Sequence, residues 1–184
     1  MKDDHSHIVL GVSACLLGEK VRYDGNHSLC QHTAELEKHF KFITICPELE
    51  IGLGVPRPPI QLIKQHGHVR VIGKEQPHTD YTDDLHQLAK GLSKSLHKLS
   101  GYVFKSQSPS CGIGDVKLYD KSAGFNRTGT GEYAATIIKF CPWLPVTDEQ
   151  QICDPDARHA FIERVYQLRR WQDRHPDCIP PARL

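Results

Sequence analysis

Three of the seven cysteines stand in short loops that follow apolar, strand-like runs. Cys15 lies in Ser13-Ala14-Cys15-Leu16-Leu17-Gly18, Cys46 in Cys46-Pro47-Glu48, and Cys111 in Ser108-Pro109-Ser110-Cys111-Gly112. In an α/β protein the strand ends converge on one edge of the sheet, so thiolates far apart in sequence can meet there. Three thiolates with no obvious fourth are the donor set of an iron–sulfur cluster with one iron left open for chemistry. Structural zinc sites favour Cys-x-x-Cys pairs, and this chain has none. The helical His-Glu-x-x-His pattern and the zinc-deaminase signature are also absent. A zinc hydrolase on the same three thiolates and a nucleophilic-cysteine enzyme remain as alternatives. Cys30, Cys141, Cys153 and Cys178 read as ordinary reduced thiols that pack as small hydrophobes, with Cys178 in a Pro-rich tail.

Other side chains in these loops extend the chemistry. Glu48 stands two residues from Cys46, close enough to act as a general acid or base beside a metal-bound thiolate. Its bland role is a helix start or an ion pair. Ser108 and Ser110 bring two hydroxyls to the third loop, and such a loop turns amides and hydroxyls toward an anion or a cluster sulfide. Arg22 and Tyr23, in Val21-Arg22-Tyr23-Asp24-Gly25, are candidates to face a substrate at a tight turn. Arg57 is held in the stiff run Val55-Pro56-Arg57-Pro58-Pro59, a mount for an anion-binding guanidinium or for a structural ion pair. Thr130, in Thr128-Gly129-Thr130-Gly131-Glu132, opens a helix as an anion site at its positive end or as a plain cap.

Strands are expected over residues 7–13, 40–45, 102–105 and 144–147 from short apolar runs rich in β-branched and aromatic residues. The clearest helix starts at Thr82-Asp83-Asp84 and carries Leu85, Leu88, Leu92, Leu96 and Leu99 as one apolar stripe. A second amphipathic helix is expected over 154–171, with Phe161, Val165 and Leu168 inward; shorter ones fall at 33–39 and 132–139. This alternation predicts a single Rossmann-like α/β domain, a mostly parallel sheet with helices on both faces. Its core is expected over 7–174, with a Pro-rich tail over 175–184. Residues 51–78 read as a long irregular loop in which Val69 to Ile72 adds a short strand or hairpin arm.

With 24% charged residues balanced to a net +1, nothing in the total points to nucleic acid. The acidic, His-containing start has no signal-peptide core, and no run is long enough to span a membrane, so a cytoplasmic location is expected. An odd number of cysteines without an export signal argues against a disulfide framework.

Taken in order, Ser-Ala-Cys-Leu-Leu-Gly with Val-Arg-Tyr-Asp-Gly, Cys-Pro-Glu with Pro-Arg-Pro-Pro, and Lys105-Ser-Gln-Ser-Pro-Ser-Cys-Gly resemble the thiouracil desulfidase family from about Ile8 to the final helix. The resemblance implies a Rossmann-like domain with a 4Fe-4S cluster, whose ligands would be Cys15, Cys46 and Cys111. It implies a catalytic acid and a serine, which map onto Glu48 and onto Ser108 rather than Ser110. The implied reaction is a non-redox loss of sulfur from a thiolated pyrimidine, with Glu48 activating water. Some relatives carry a further C-terminal domain and act on thiolated tRNA. With its last residue at Leu184, the chain is expected to act on a free thiobase, nucleoside or nucleotide, and tRNA is an unexpected partner. A non-catalytic cluster carrier or sensor is the alternative function.

Overall fold

The computed structural model describes residues 8–93, 96–120, 124–176 and 178–182. Strands β1 (Val9–Ser13), β2 (Lys41–Ile45), β5 (Gly101–Phe104) and β8 (Val146–Asp148) form one sheet in the order β2-β1-β5-β8. Each pairing is parallel, with Val12 opposite both Thr44 and Val103, and Val103 opposite Thr147. These are the four expected strands, each shifted by a residue or two; His7, expected to begin the first, lies outside the described residues, as does His5.

Period-two alternation distributes the sheet's side chains between two cores. Leu10, Val12 and Val103 pack with Leu16, Leu36, Ile152, Phe161 and Val165. Tyr102, Phe104 and Ile45 pack with Leu85, Leu96, Leu99, Tyr133 and Ile137. The stacked rings of Tyr102 and Phe104, with centroids 4.1 Å apart, fill the centre of that second face. Helices therefore cover both faces: α1 (Gln31–Glu35), α5 (Glu149–Cys153) and α6 (Pro155–Arg174) supply the first, α3 (Thr82–Ser93) and α4 (Glu132–Phe140) the second. A one-turn helix, α2 (Pro47–Glu50), follows β2.

The leucine stripe packs as expected: α3 is described through Ser93, and Leu96 sits in a 3-10 turn, Leu96–Lys98. Leu96 and Leu99 are buried with Leu85 in one core. The helix expected over 154–171 runs to Arg174 and is capped by Asp154, whose Oδ1 accepts from Ala157 N at 2.8 Å.

The principal correction is a second sheet, ordered β4-β3-β6-β7, from β3 (Ile60–Gln65), β4 (His68–Gly73), β6 (Val116–Asp120) and β7 (Gly124–Gly129). The stretch expected to be irregular is thus largely a β3–β4 hairpin, with the Val69–Ile72 arm inside β4. His66 and Gly67 close it with two positive φ angles, 50° and 81°, as a two-residue hairpin turn demands. A parallel β3–β6 pairing joins it to the β6–β7 hairpin. Both sheets contribute to one cavity at the ends of β1, β2 and β5, where the cysteine loops emerge.

Candidate active site

Each cysteine loop is fixed by its own backbone chemistry. After β1 the chain makes a 3-10 turn, Ala14–Leu17, and both Ser28 N (2.9 Å) and Gly18 N (3.4 Å) donate to the Cys15 carbonyl. Gly18 is needed there for its φ of 91°, a left-handed cap that a side chain disfavours, and not for space, since a Cβ would meet only Leu29 at 3.8 Å. Cys46 occupies the N-cap of α2 with Pro47 at the first helical position, so its carbonyl accepts from Leu49 N and Glu50 N. In the third loop Ser108 Oγ accepts from Ser110 N (3.3 Å) and Cys111 N (3.1 Å).

The start of α4 locks this third loop from behind. Gly131 N donates to Gly112 O, Glu132 N to Pro109 O and Ala134 N to Ser110 O. A Cβ at Gly131 would lie 2.4 Å from the Ser110 carbonyl carbon, so only glycine lets helix and loop approach this closely. The amides expected to bind an anion near Thr130 are therefore engaged by loop carbonyls, and Thr130 does not line the cavity onto which the cysteines open. Its segment positions Cys111.

Cys15, Cys46 and Cys111 share that cavity, of about 430 Å³, which Ile60, Leu62, Val116 and Tyr119 of the second sheet also line. Burial raises all three thiols. Cys15 is pushed up to about 11, opposed chiefly by the Lys105 cation, with Cys46 adding to the rise. Cys111 is raised further by burial despite hydrogen bonds from Ser13 and Ser110, and Cys46 is raised by burial as well. Neutral thiols this dry need a cation to become thiolates. Among the described residues no three His, Cys, Asp or Glu donors converge on a single-ion site. A cluster differs in taking each thiolate on a separate iron, so donors spread around one cavity suit it where they do not suit a lone zinc ion.

Beside Cys46, Glu48 is held from two sides. Arg57 Nε donates to Oε2 at 2.8 Å and Ser110 Oγ donates to Oε1 at 2.7 Å. Ser110 Oγ lies 3.0 Å from Ser108 Oγ, so the two serines and Glu48 form one hydrogen-bonded line, with Ser110 buried and Ser108 nearer solvent. Arg57 is itself buried; Nη1 donates to Val21 O (2.9 Å) and Gly54 O (3.0 Å), and Nη2 lies 4.0 Å from Cys46 Sγ. Its Pro-stiffened segment thus mounts a guanidinium whose bonds run to Glu48 and to the loops around Cys46. Arg22 and Tyr23 line the mouth of the cavity; Arg22 pairs with Asp24 at 3.5 Å and stacks over the Tyr23 ring at 5.8 Å.

Two further groups escaped the sequence reading. Lys105, just after β5, is ion-paired to Glu149, which also accepts from Ser106 N (2.7 Å) and Ser106 Oγ (2.6 Å). Glu149 opens α5, whose N-cap is Asp148, accepting from Gln150 N and Gln151 N. The Asp148-Glu149 pair after a strand was the available signal for that helix start. Ser13 Oγ, at the end of β1, accepts from Lys105 N at 3.0 Å and so ties the first and third loops. The second sheet adds Lys74, Lys117 and Arg127 to the cavity wall, cations that become relevant only because the two hairpins face the cysteines.

Known proteins resemble this chain. The 2-thiouracil desulfurase family model matches residues 10–149, which span all three cysteine loops and the Glu48–Arg57 pair. The chain belongs to the 2-thiouracil desulfurase family. The resemblance carried by the cysteine motifs is thereby borne out. An uncharacterised protein of Bacillus subtilis (strain 168), YbbK, is 32% identical over 133 residues, 68% of this chain and 87% of that protein. The solved structure of the [4Fe-4S]-dependent thiouracil desulfidase TudS superposes with a TM-score of 0.63 at 29% identity, covering 86% of this chain and 99% of that one. The α/β fold with its parallel sheet is that of TudS as well. No helix among the described residues is long and apolar enough to cross a membrane.

Proposed function

We propose that this desulfurase-family protein hydrolyses the carbon–sulfur bond of a thiolated pyrimidine, with Cys15, Cys46 and Cys111 as the ligands of a 4Fe-4S cluster. The observation that carries the reading is the convergence of three thiols, buried Cys15 and Cys111 and half-buried Cys46, on one cavity with Glu48, held by Arg57 and Ser110, beside them. Bound there, the cluster would supply an open iron, a Lewis acid suited to a thiocarbonyl sulfur. The cavity's size leaves room for a planar ring between the thiols and the second sheet.

The protein's own residues account for the proton traffic. Glu48 takes the proton of the attacking water, while Arg57 fixes the carboxylate in one orientation. Ser110 keeps the second carboxylate oxygen aligned, and Ser108 extends the hydrogen-bonded line toward the cavity, where it meets water or a ring heteroatom. Lys105, held by Glu149, keeps a positive charge near Cys15 and favours its thiolate. A substrate phosphate, where present, would meet Lys74, Lys117 and Arg127 of the cavity lining, and not Arg57, whose donors already serve Glu48 and the carbonyls of Val21 and Gly54. Anaerobically reconstituted protein is expected to convert a thiouracil, thiouridine or its monophosphate into the oxygen analogue with equimolar sulfide. Stable cluster loading without sulfide release from any of the three would overturn catalysis and leave a cluster carrier or sensor.

A further inference from the structure

The β6–β7 hairpin carries an aromatic pair to which the chemistry at the cysteines gives no role. Its register sets Lys117 opposite Arg127 and Tyr119 opposite Phe125. Alternation along each strand puts these four side chains on one face, two cations beside two aromatic rings. Lys117, Tyr119 and Arg127 line the cavity that holds the three cysteines, and Phe125 adjoins them outside its lining. The Phe125 ring packs against Tyr119, with centroids 5.4 Å apart, and Lys117 Nζ lies over it at 4.8 Å. With both partners in place Phe125 is still 51% exposed. A solitary exposed Phe is ordinary on a protein surface. This one continues the cavity lining through Tyr119 and shares its face with two cations. We propose that Tyr119 and Phe125 form a stacking subsite for a second base, so that the protein accepts a thiolated pyrimidine nucleoside joined through a phosphodiester to a neighbouring nucleoside. The proposal rests on the desulfidase reading for the base inside the cavity and extends it along the hairpin.

The chemistry of the face selects this occupant. A phosphodiester carries one negative charge, and Lys117 and Arg127 supply the charged donors that meet it. A base offers a flat π-face, which stacks on an aromatic side chain with little regard to its identity. Two strand positions separate Lys117 from Tyr119, about 7 Å, a span that one ribose bridges from phosphate to base. Cations beside exposed aromatic rings are the combination by which proteins hold single-stranded nucleic acid. An apolar peptide would offer no anion to Lys117 and Arg127. A mononucleotide, with its one base in the cavity, has no second ring for Phe125.

The test compares thiouridine monophosphate with thiouridine joined to adenosine by a phosphodiester, in either order, and with the same dinucleotides lacking adenine. Dissociation constants are measured by titration calorimetry on the Glu48→Gln holoprotein, so that binding is read without turnover. In at least one order the dinucleotide is expected to bind about tenfold tighter than both the monophosphate and the abasic compound. Phe125→Ala and Phe125→Leu, added to that protein, should each remove the gain and leave monophosphate binding within about twofold, whereas Phe125→Trp should keep the gain. The proposal fails if neither dinucleotide outbinds the monophosphate, if the abasic compounds bind equally well, or if Phe125→Leu retains the full gain. Sulfide release from the monophosphate by wild-type holoprotein is followed in parallel. Release without a dinucleotide gain would sink the subsite alone. A Phe125-dependent gain without release would sink the desulfidase reading and leave the subsite standing.

Discussion

Ser110 donates its hydroxyl hydrogen to Glu48 across 2.7 Å, although the two residues come from loops after different strands. That bond joins the second cysteine loop to the third, and it makes Glu48 part of the cavity wall rather than a free surface carboxylate. It also defines what Glu48 needs in order to act: one oxygen held by Ser110, the other by Arg57, and an open approach from the cavity.

Replacing Glu48 by Gln isolates the carboxylate's role. The amide oxygen can still accept from Arg57 or Ser110, but the side chain no longer accepts a proton. Turnover is expected to fall by about two to four orders of magnitude, the usual worth of a general base. Iron content and visible spectrum should stay as in the wild type. Normal turnover by an intact Glu48→Gln holoprotein would refute water activation by this residue.

The two serines separate by their partners. Ser110→Ala removes the donor to Glu48 Oε1, so it should lower kcat and alter its pH profile. Ser108→Ala removes the acceptor for two loop amides, Ser110 N and Cys111 N, as well as the outer hydroxyl of the line. It should therefore cost both turnover and about 1–2 kcal/mol of stability, from amides left without a partner. A Ser108→Ala protein of unchanged melting temperature and reduced turnover would assign its hydroxyl to chemistry alone.

Iron content discriminates among the cysteines. Cys15→Ala, Cys46→Ala and Cys111→Ala are each expected to lose or destabilise the brown cluster after anaerobic reconstitution, whereas Cys141→Ala and Cys178→Ala should retain about four irons per chain. Cys141 is buried against the second core and Cys178 is exposed, both away from the cavity lining. Loss of iron from either of the last two variants would reassign the ligands.

What the residues disclosed in advance depended on how local their physics is. Cysteine loops were legible because a strand end, a Pro or a Gly at fixed offsets is a short-range pattern, as in Cys46-Pro47-Glu48. The central strands were legible because apolar runs such as Ile8 to Val12 have no other economical place. The second sheet was not, because β6 and β7 carry mixed sequences, such as Val-Lys-Leu-Tyr-Asp and Gly-Phe-Asn-Arg-Thr-Gly, and β7 is largely exposed. The strand character of β6 comes from pairing with β3, a contact across more than fifty residues, and β7 pairs with β6, so local propensity says little about either. The Lys105–Glu149 pair was hidden for the same reason: it joins two strand ends that only the β5–β8 pairing brings together.

That pair also gives a pH dependence with a definite sign. Burial works to raise the Glu149 carboxyl, but hydrogen bonds from Lys105 and Ser106 and the lysine's charge outweigh it, so the group sits below its ordinary value of 4.5. A depressed carboxyl stabilises the fold above its unfolded value and loses that contribution as pH falls through the folded one. Glu149→Gln should therefore be less stable than wild type by about 1–2 kcal/mol at neutral pH. The gap in melting temperature should close as pH is lowered below about 4, through the carboxylate range. A gap independent of pH would mean that shape, and not charge, is what Glu149 contributes.

Substrate discrimination is the most direct probe of the second sheet. Lys117 and Arg127 line the cavity from paired positions on β6 and β7, and Lys74 lines it just after β4, so all three cations share the cavity with the cysteines. Lys117 also lies over the Phe125 ring at 4.8 Å, which holds its stem against the sheet. If a phosphate is bound there, Arg127→Ala and Lys117→Ala should raise KM for a thionucleotide monophosphate by about tenfold or more while changing KM for the free thiobase little, since each charged hydrogen bond is worth about 1.5–3 kcal/mol. Arg57→Lys should behave differently. A lysine cannot reproduce the bonds to Glu48, Val21 O and Gly54 O together, so kcat should fall for base and nucleotide alike. Kinetics on the two substrates, at low and moderate salt, separate these patterns. Equal losses for base and nucleotide in the Lys117 and Arg127 variants would remove the phosphate from that wall, and a nucleotide-selective loss in Arg57→Lys would return it to the guanidinium beside Glu48.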